Sequence, residues 1–212
     1  TVLFPAFSKI NPKSELKLLQ TVFTSSVKYM SLMLVPTTVA MMVLSKPMVS
    51  TLFGEKWKDA PFLLTLYVIN YLFMIFGSLS LGSLLMGLGE TRTQLKLSLI
   101  NFLFGVPLAL LLIPNMGIVG LILTGIVAGI PSICLGLYWV WKHYKVKANV
   151  NSSFRILAAS ALAATATFLV ISLITCADWI QLIIGGLTFL ATYVVTAPIM
   201  GAVNQADIYN LR

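Results

Sequence analysis

Charge is what this sequence has least of. Only 9% of its 212 residues are Asp, Glu, Lys or Arg, against about 25% in an ordinary soluble domain. With 58% hydrophobic residues and a mean hydropathy of +0.96, that scarcity excludes a water-soluble globular domain and predicts an integral membrane protein. The six acids, Glu15, Glu55, Asp59, Glu90, Asp178 and Asp207, all fall in turns or at the ends of apolar runs. No carboxylate is left in mid-membrane, where a proton relay needs one. The one histidine, His143, sits in a basic turn with no carboxylate near it in sequence. Neither a catalytic triad nor a metal cluster can therefore be assembled, and no cofactor is called for. Cys134 lies inside an apolar run and Cys176 near the far end of another; both read as small buried hydrophobes rather than a disulfide pair. Phosphate-cradling glycine loops are missing as well, because the glycines sit inside apolar runs rather than between a strand and a helix. The chain reads as no enzyme, and nucleotide hydrolysis is excluded.

What the sequence has in abundance is long apolar runs separated by short polar turns, a pattern of spanning helices rather than of a barrel's alternating strands. Six spans are expected, at about 22–44, 61–88, 95–113, 118–141, 154–175 and 179–200. The fold class is all-α, a polytopic transmembrane bundle. Residues 14–54 organise the rest: a polar amphipathic lead runs unbroken into the first span, which at about 1.5 Å per residue covers a hydrocarbon core of roughly 30 Å. Lys28 lies about a third of the way into it. A cation at the centre of a spanning helix costs about 2.5–3.5 kcal/mol, so Lys28 either snorkels to an interface or faces a cavity. Pro36 removes a backbone donor and frees a carbonyl in the same helix, and Thr37 and Thr38 stand ready to satisfy it. A kink there is a natural hinge.

The remaining runs carry few polar groups. Residues 47–62 read as an interfacial segment with Phe53 and Trp57 at headgroup depth. Asn70 lies near the middle of the second span and Asn101 in the third, after the turn that holds Arg92 and Lys96. Lys28, Arg92, Lys96, Asn70 and Asn101 form the expected substrate pathway, the three cations suiting a phosphate or pyrophosphate headgroup through charge-assisted hydrogen bonds. The alternative for Arg92 and Lys96 is topogenic charge bonded to lipid phosphates. Residues 114–117, PNMG, are expected to form an uncharged turn, and Gly125 with Gly129 a GxxxG helix-packing motif.

The net charge of +8 sits in the turns, where topology explains it without nucleic acid as a partner. Alternating sides put Lys9, Lys13, Lys17, Lys28, Arg92, Lys96, Lys142, Lys145, Lys147, Arg155 and Arg212 together, with only Lys46, Lys56 and Lys58 opposite. Eleven against three of the 14 basic residues makes both ends of the chain cytoplasmic by the positive-inside rule.

Four stretches in register carry a resemblance: LFPAFSK (3–9), KYMSLMLVPTTVAMMVLSKPMVSTLFGEKWKDA (28–60), LLMGLGETR (84–92) and IPNMGIVGLILTGIVAGI (113–130). Their order and spacing resemble the C-terminal half of polysaccharide flippases, in the oligosaccharide-lipid branch of the multidrug/oligosaccharidyl-lipid/polysaccharide exporter superfamily. The similarity covers about 1–147 and fades beyond. It implies four spans of a second lobe in 1–147 and an accessory pair of spans in 148–212. It also implies alternating access in the cytoplasmic membrane on a polyprenyl-linked sugar, with a first, N-terminal lobe outside this sequence as partner. A sequence that opens TVLFPAFSK, without an initiator methionine, fits such a piece of a longer protein. Three other readings stand beside this one: a drug/cation antiporter and a peptidoglycan-precursor flippase of the same superfamily, and a non-transporting membrane scaffold.

Overall fold

The computed structural model describes residues 7, 8, 10, 14–147, 150–174 and 176–202, and only the backbone of Met74. Residues 3–6, Lys9, Lys13, Asp207 and Arg212, which entered the sequence reading, lie outside them. The described residues form α1 (Leu16–Val43), α2 (Ser45–Phe53), α3 (Ala60–Val68), a 3₁₀ stretch (Ile69–Phe76), α4 (Ser78–Gly87), α5 (Thr91–Met116), α6 (Ile118–Tyr144), α7 (Val150–Leu173) and α8 (Asp178–Ile199). Among them α1, α5, α6, α7 and α8 are long and apolar enough to cross a membrane, and six spans result if α3 and α4 count as one broken span. The protein is a polytopic helix bundle.

The chain forms two compact units. Unit 1 comprises 1–29 and 76–149, and unit 2 comprises 30–75 and 150–212. One boundary falls inside the continuous helix α1, next to Lys28. A second falls in the 3₁₀ stretch, and a third immediately before α7.

Unit 1 is built on stripes at helical spacing. Leu19, Phe23 and Val27 on α1 pack with Leu81, Leu84 and Leu85 on α4, Leu97 on α5 and Val140 on α6, all buried. Because lipid is as apolar as leucine, such packing is held by close van der Waals fit rather than by expulsion of water, and small residues set how near two helices come. Gly136 on α6 is one such place: a Cβ there would stand 2.5 Å from Leu81 Cδ2 and 2.9 Å from Leu97 Cδ1. At the α5–α6 turn Gly120 lies against the backbone carbonyl of Leu112.

Unit 2 packs alanine-rich α7 against α8 and the later part of α1. Ile156, Ala159 and Ala163 meet Val35, Val39, Phe189 and Ala197 in its core. Polar atoms tie the helices across the interior: the hydroxyls of Ser31 and Ser153 are 3.2 Å apart, and Thr196 donates to the Ala159 carbonyl at 3.4 Å. Pro36 is buried inside α1 and frees the carbonyl of Leu32, four residues earlier. The Tyr193 hydroxyl donates to that carbonyl at 3.3 Å, whereas Thr37 donates to the Met33 carbonyl at 2.7 Å. The repair therefore comes from α8 and not from the neighbouring threonines of α1.

Several expectations are corrected. The second span, expected unbroken over 61–88, is interrupted by the 3₁₀ stretch and by Gly77, whose φ of +85° is a left-handed conformation open chiefly to glycine. The PNMG turn shrinks to its glycine: α5 continues through Pro114 to Met116, Asn115 Nδ2 donates to the Leu111 carbonyl at 2.7 Å, and Gly117 turns the chain at φ +57°. Among the described residues the GxxxG pair packs against nothing, since a Cβ at Gly125 or Gly129 would meet no atom within 4 Å. Both cysteines are exposed and free, because Cys134 lies on an outer face of α6 and Cys176 in the link to α8.

Candidate substrate-pathway site

Unit 1 carries a polar cleft between three apolar helices. On α5, Gln94, Ser98 and Asn101 follow at spacings of four and three, which puts them on one helix face. Ser78 and Gly82 of α4 and Ser132 of α6, with the apolar Leu81, Leu97 and Ile133, complete the lining of a space of about 150 Å³. Gly82 leaves room for the Gln94 amide, which a Cβ there would approach to 4.0 Å. A second space of about 290 Å³ adjoins it, lined by Asn101, Phe102, Gly105, Thr124, Gly125 and Ala128. Asn101 thus stands where an amide- and hydroxyl-lined cleft meets a largely apolar groove. Chemically the pair of spaces suits hydrogen-bonding groups of a ligand beside a hydrocarbon one.

One end of unit 1 is tied down by polar contacts. Gln20 Nε2 donates to the Lys147 carbonyl and the Lys147 N–H donates to Gln20 Oε1, both at 2.9 Å. The Tyr144 hydroxyl donates to Glu90 Oε1 at 3.1 Å. These contacts bring the start of α1, the α4–α5 turn and the end of α6 to a common end. Trp141 gathers cations there, with Lys145 Nζ 5.5 Å and Lys147 Nζ 5.4 Å from its ring centre. His143, at that end of α6, stacks on Trp139 with the ring centres 4.2 Å apart, its Nδ1 3.0 Å from the Trp139 carbonyl oxygen. Among the described residues no group of three or more His, Cys, Asp or Glu could hold a metal ion.

The five residues expected along the pathway do not converge on one point within either unit. Asn101 lines both spaces of unit 1. Arg92 and Lys96 stand exposed on the same helix, but at about 100° per residue they lie on the face opposite Gln94, Ser98 and Asn101. Lys28 is half-buried on α1, within unit 1, and Asn70 is exposed in the 3₁₀ stretch of unit 2. Pro36 belongs to unit 2 and borders a groove of about 280 Å³ with Thr37, Phe189 and Tyr193. Gln94 and Ser98 were missed from the sequence, although their spacing to Asn101 was visible there.

A family model described as polysaccharide biosynthesis protein matches residues 1–61. No curated protein sequence matches the chain at a significant level. Among solved structures, a lipid II flippase, MurJ, in an inward closed conformation matches with a TM-score of 0.74 at 16% sequence identity, over 93% of this chain and 44% of that one. The chain therefore spans less than half the length of that protein, and over nearly all of its own length it has the same fold.

Proposed function

We propose that the chain is part of an exporter that flips lipid-linked oligosaccharide or polysaccharide units across the cytoplasmic membrane by alternating access. The observation that carries this reading is the fold shared with a lipid II flippase over 93% of the chain. The polysaccharide-biosynthesis match over 1–61 supports it independently. On this reading the work is transport and not bond chemistry. Lys28 attracts the phosphate or pyrophosphate of a polyprenyl-linked sugar and Gln94, Ser98 and Asn101 exchange hydrogen bonds with its hydroxyls, while Arg92 and Lys96, on the opposite face of α5, draw the same anionic headgroup toward the membrane surface before it enters the cleft. Asn70 takes part from the second span, and Pro36 is the hinge. Residues 1–147 form helices of a second lobe and 148–212 an accessory pair, completed by an N-terminal lobe. Both ends of the chain are cytoplasmic.

Cells depleted of the full-length protein are expected to accumulate the lipid-linked sugar on the cytoplasmic face and to recover on re-expression. Unchanged distribution of that lipid removes the proposal. A peptidoglycan-precursor flippase is the second reading, favoured by the identity of the matched structure. It predicts that the pool trapped on depletion is the peptidoglycan precursor instead.

Thiol labelling tests the pathway directly. After the exposed Cys134 and Cys176 are replaced by serine, single cysteines at Lys28 and Asn101 are expected to react with a membrane-impermeant maleimide. A cysteine at Leu103, which is 70% exposed on the opposite face of α5, is expected to resist it in the bilayer. Protection of both test positions rules out a wet passage along these residues.

A further inference from the structure

Away from the pathway, unit 2 has a second polar feature at one end of its helices. The end of α1 continues into α2, residues 54–59 lead into α3, and the first turn of α8 begins beside them. Between them lies a cleft of about 390 Å³ lined by Lys46, Ser50, Glu55, Trp57, Lys58 and Asp178, within the range of roughly 300–1,000 Å³ typical of small-molecule sites. Two cations and two anions thus border one space. Among the described residues no ion pair joins any of the four, so each brings hydrogen-bonding capacity that the protein itself leaves unused.

The charge pattern decides the class of ligand. An anion alone meets Glu55 and Asp178 as well as the lysines, and a cation alone meets the lysines as well as the acids. A ligand carrying both signs satisfies all four. The surroundings decide where such a ligand comes from. Leu52, Phe53, Trp57 and Phe62 are each more than 60% exposed, on the short helix α2, the link after it and the first turn of α3, which follow the span-length helix α1. Exposed aromatic and apolar side chains beside balanced charge match the boundary between headgroups and acyl chains.

We propose that this cleft binds the headgroup of a zwitterionic phospholipid with a primary ammonium, its phosphate held by Lys46 and Lys58 and its ammonium by Glu55 and Asp178. Trp57 and Phe53 then lie against the first carbons of the acyl chains. A primary ammonium donates three hydrogen bonds to carboxylates, which a quaternary choline headgroup lacks. The site needs only that the helices span a membrane, and it is indifferent to what the protein exports.

The test reads lipid retention and not transport. The full-length protein is extracted into mild detergent from bilayers containing equal amounts of phosphatidylethanolamine, phosphatidylcholine and phosphatidylglycerol with matched acyl chains, and the retained lipid is measured by native mass spectrometry. Phosphatidylethanolamine is expected to be enriched about tenfold over each of the others, on the scale of charge-assisted hydrogen bonds. The paired substitutions Lys46→Gln with Lys58→Gln, and Glu55→Gln with Asp178→Asn, are each expected to bring retention to parity, while Lys46→Arg with Lys58→Arg keeps most of the preference. Parity in the unaltered protein overturns the proposal whether or not any variant folds. So does equal enrichment of phosphatidylglycerol, or a preference that survives both neutralising pairs.

Discussion

Replacing Gly120 by alanine is expected to destabilise the full-length protein by about 3 kcal/mol, at the upper end of the usual cost of forcing one extra carbon into a packed interior. The new Cβ would press on the carbonyl of Leu112 across the α5–α6 turn. Backbone on both sides cannot rotate away as a flexible side chain can. The turn has no slack either, since Gly117 at φ +57° is the whole link between two long helices, and Thr124 already holds the Gly120 carbonyl at 2.8 Å. Alanine at Gly125 or Gly129 gives the opposite sign: open space surrounds both, and in a helix interior alanine is favoured over glycine by up to about 1 kcal/mol. Thermal unfolding of the three variants in detergent micelles reads the contrast. If Gly125→Ala or Gly129→Ala destabilises as much as Gly120→Ala, the α5–α6 packing described above is wrong.

That contrast also marks how far the sequence could be read. The spans were legible because apolar runs of spanning length have no other use in a chain with so little charge. Their ends were not, because polar residues such as Lys17 and Gln20 continue a helix beyond its apolar stretch, and because a proline such as Pro114 can remain inside one when a neighbouring amide serves the nearby carbonyls. The GxxxG spacing gave a face without saying whether anything packs on it. Gly120 and Gly136, which do lie against neighbours, have no such signature. Asn101 stood out as an amide in an apolar run, whereas Gln94 and Ser98 only gain meaning beside it, as one face of α5. The Tyr193 bond to the Leu32 carbonyl joins positions 161 residues apart, and no local pattern announces it. In each case periodicity fixes the spacing of side chains along a helix, and the missing information is which neighbour that face meets.

Replacing Lys28 by alanine is expected to lower export of lipid-linked sugar by about 10- to 100-fold, the range corresponding to a lost charge-assisted hydrogen bond of roughly 1.5–3 kcal/mol. Lys28 is half-buried in α1 between Val27, which is 1% exposed, and the buried Ser31, and a cation so placed in a spanning helix is expensive to keep. Removing it should leave membrane insertion intact, since the helix loses a charge that is costly to place in the bilayer. A fall in export without a fall in stability then separates a role in transport from one in folding. Arginine keeps the positive charge but exchanges a compact ammonium for a broad planar fork, so Lys28→Arg is expected to retain partial export. Methionine keeps the length without the charge, and Lys28→Met should behave as alanine does. Export is read as surface-exposed product in cells carrying equal amounts of each full-length variant in the membrane. Wild-type export by the alanine variant would leave Lys28 as a snorkelling side chain, and would take from the pathway the cation that lies deepest in its span.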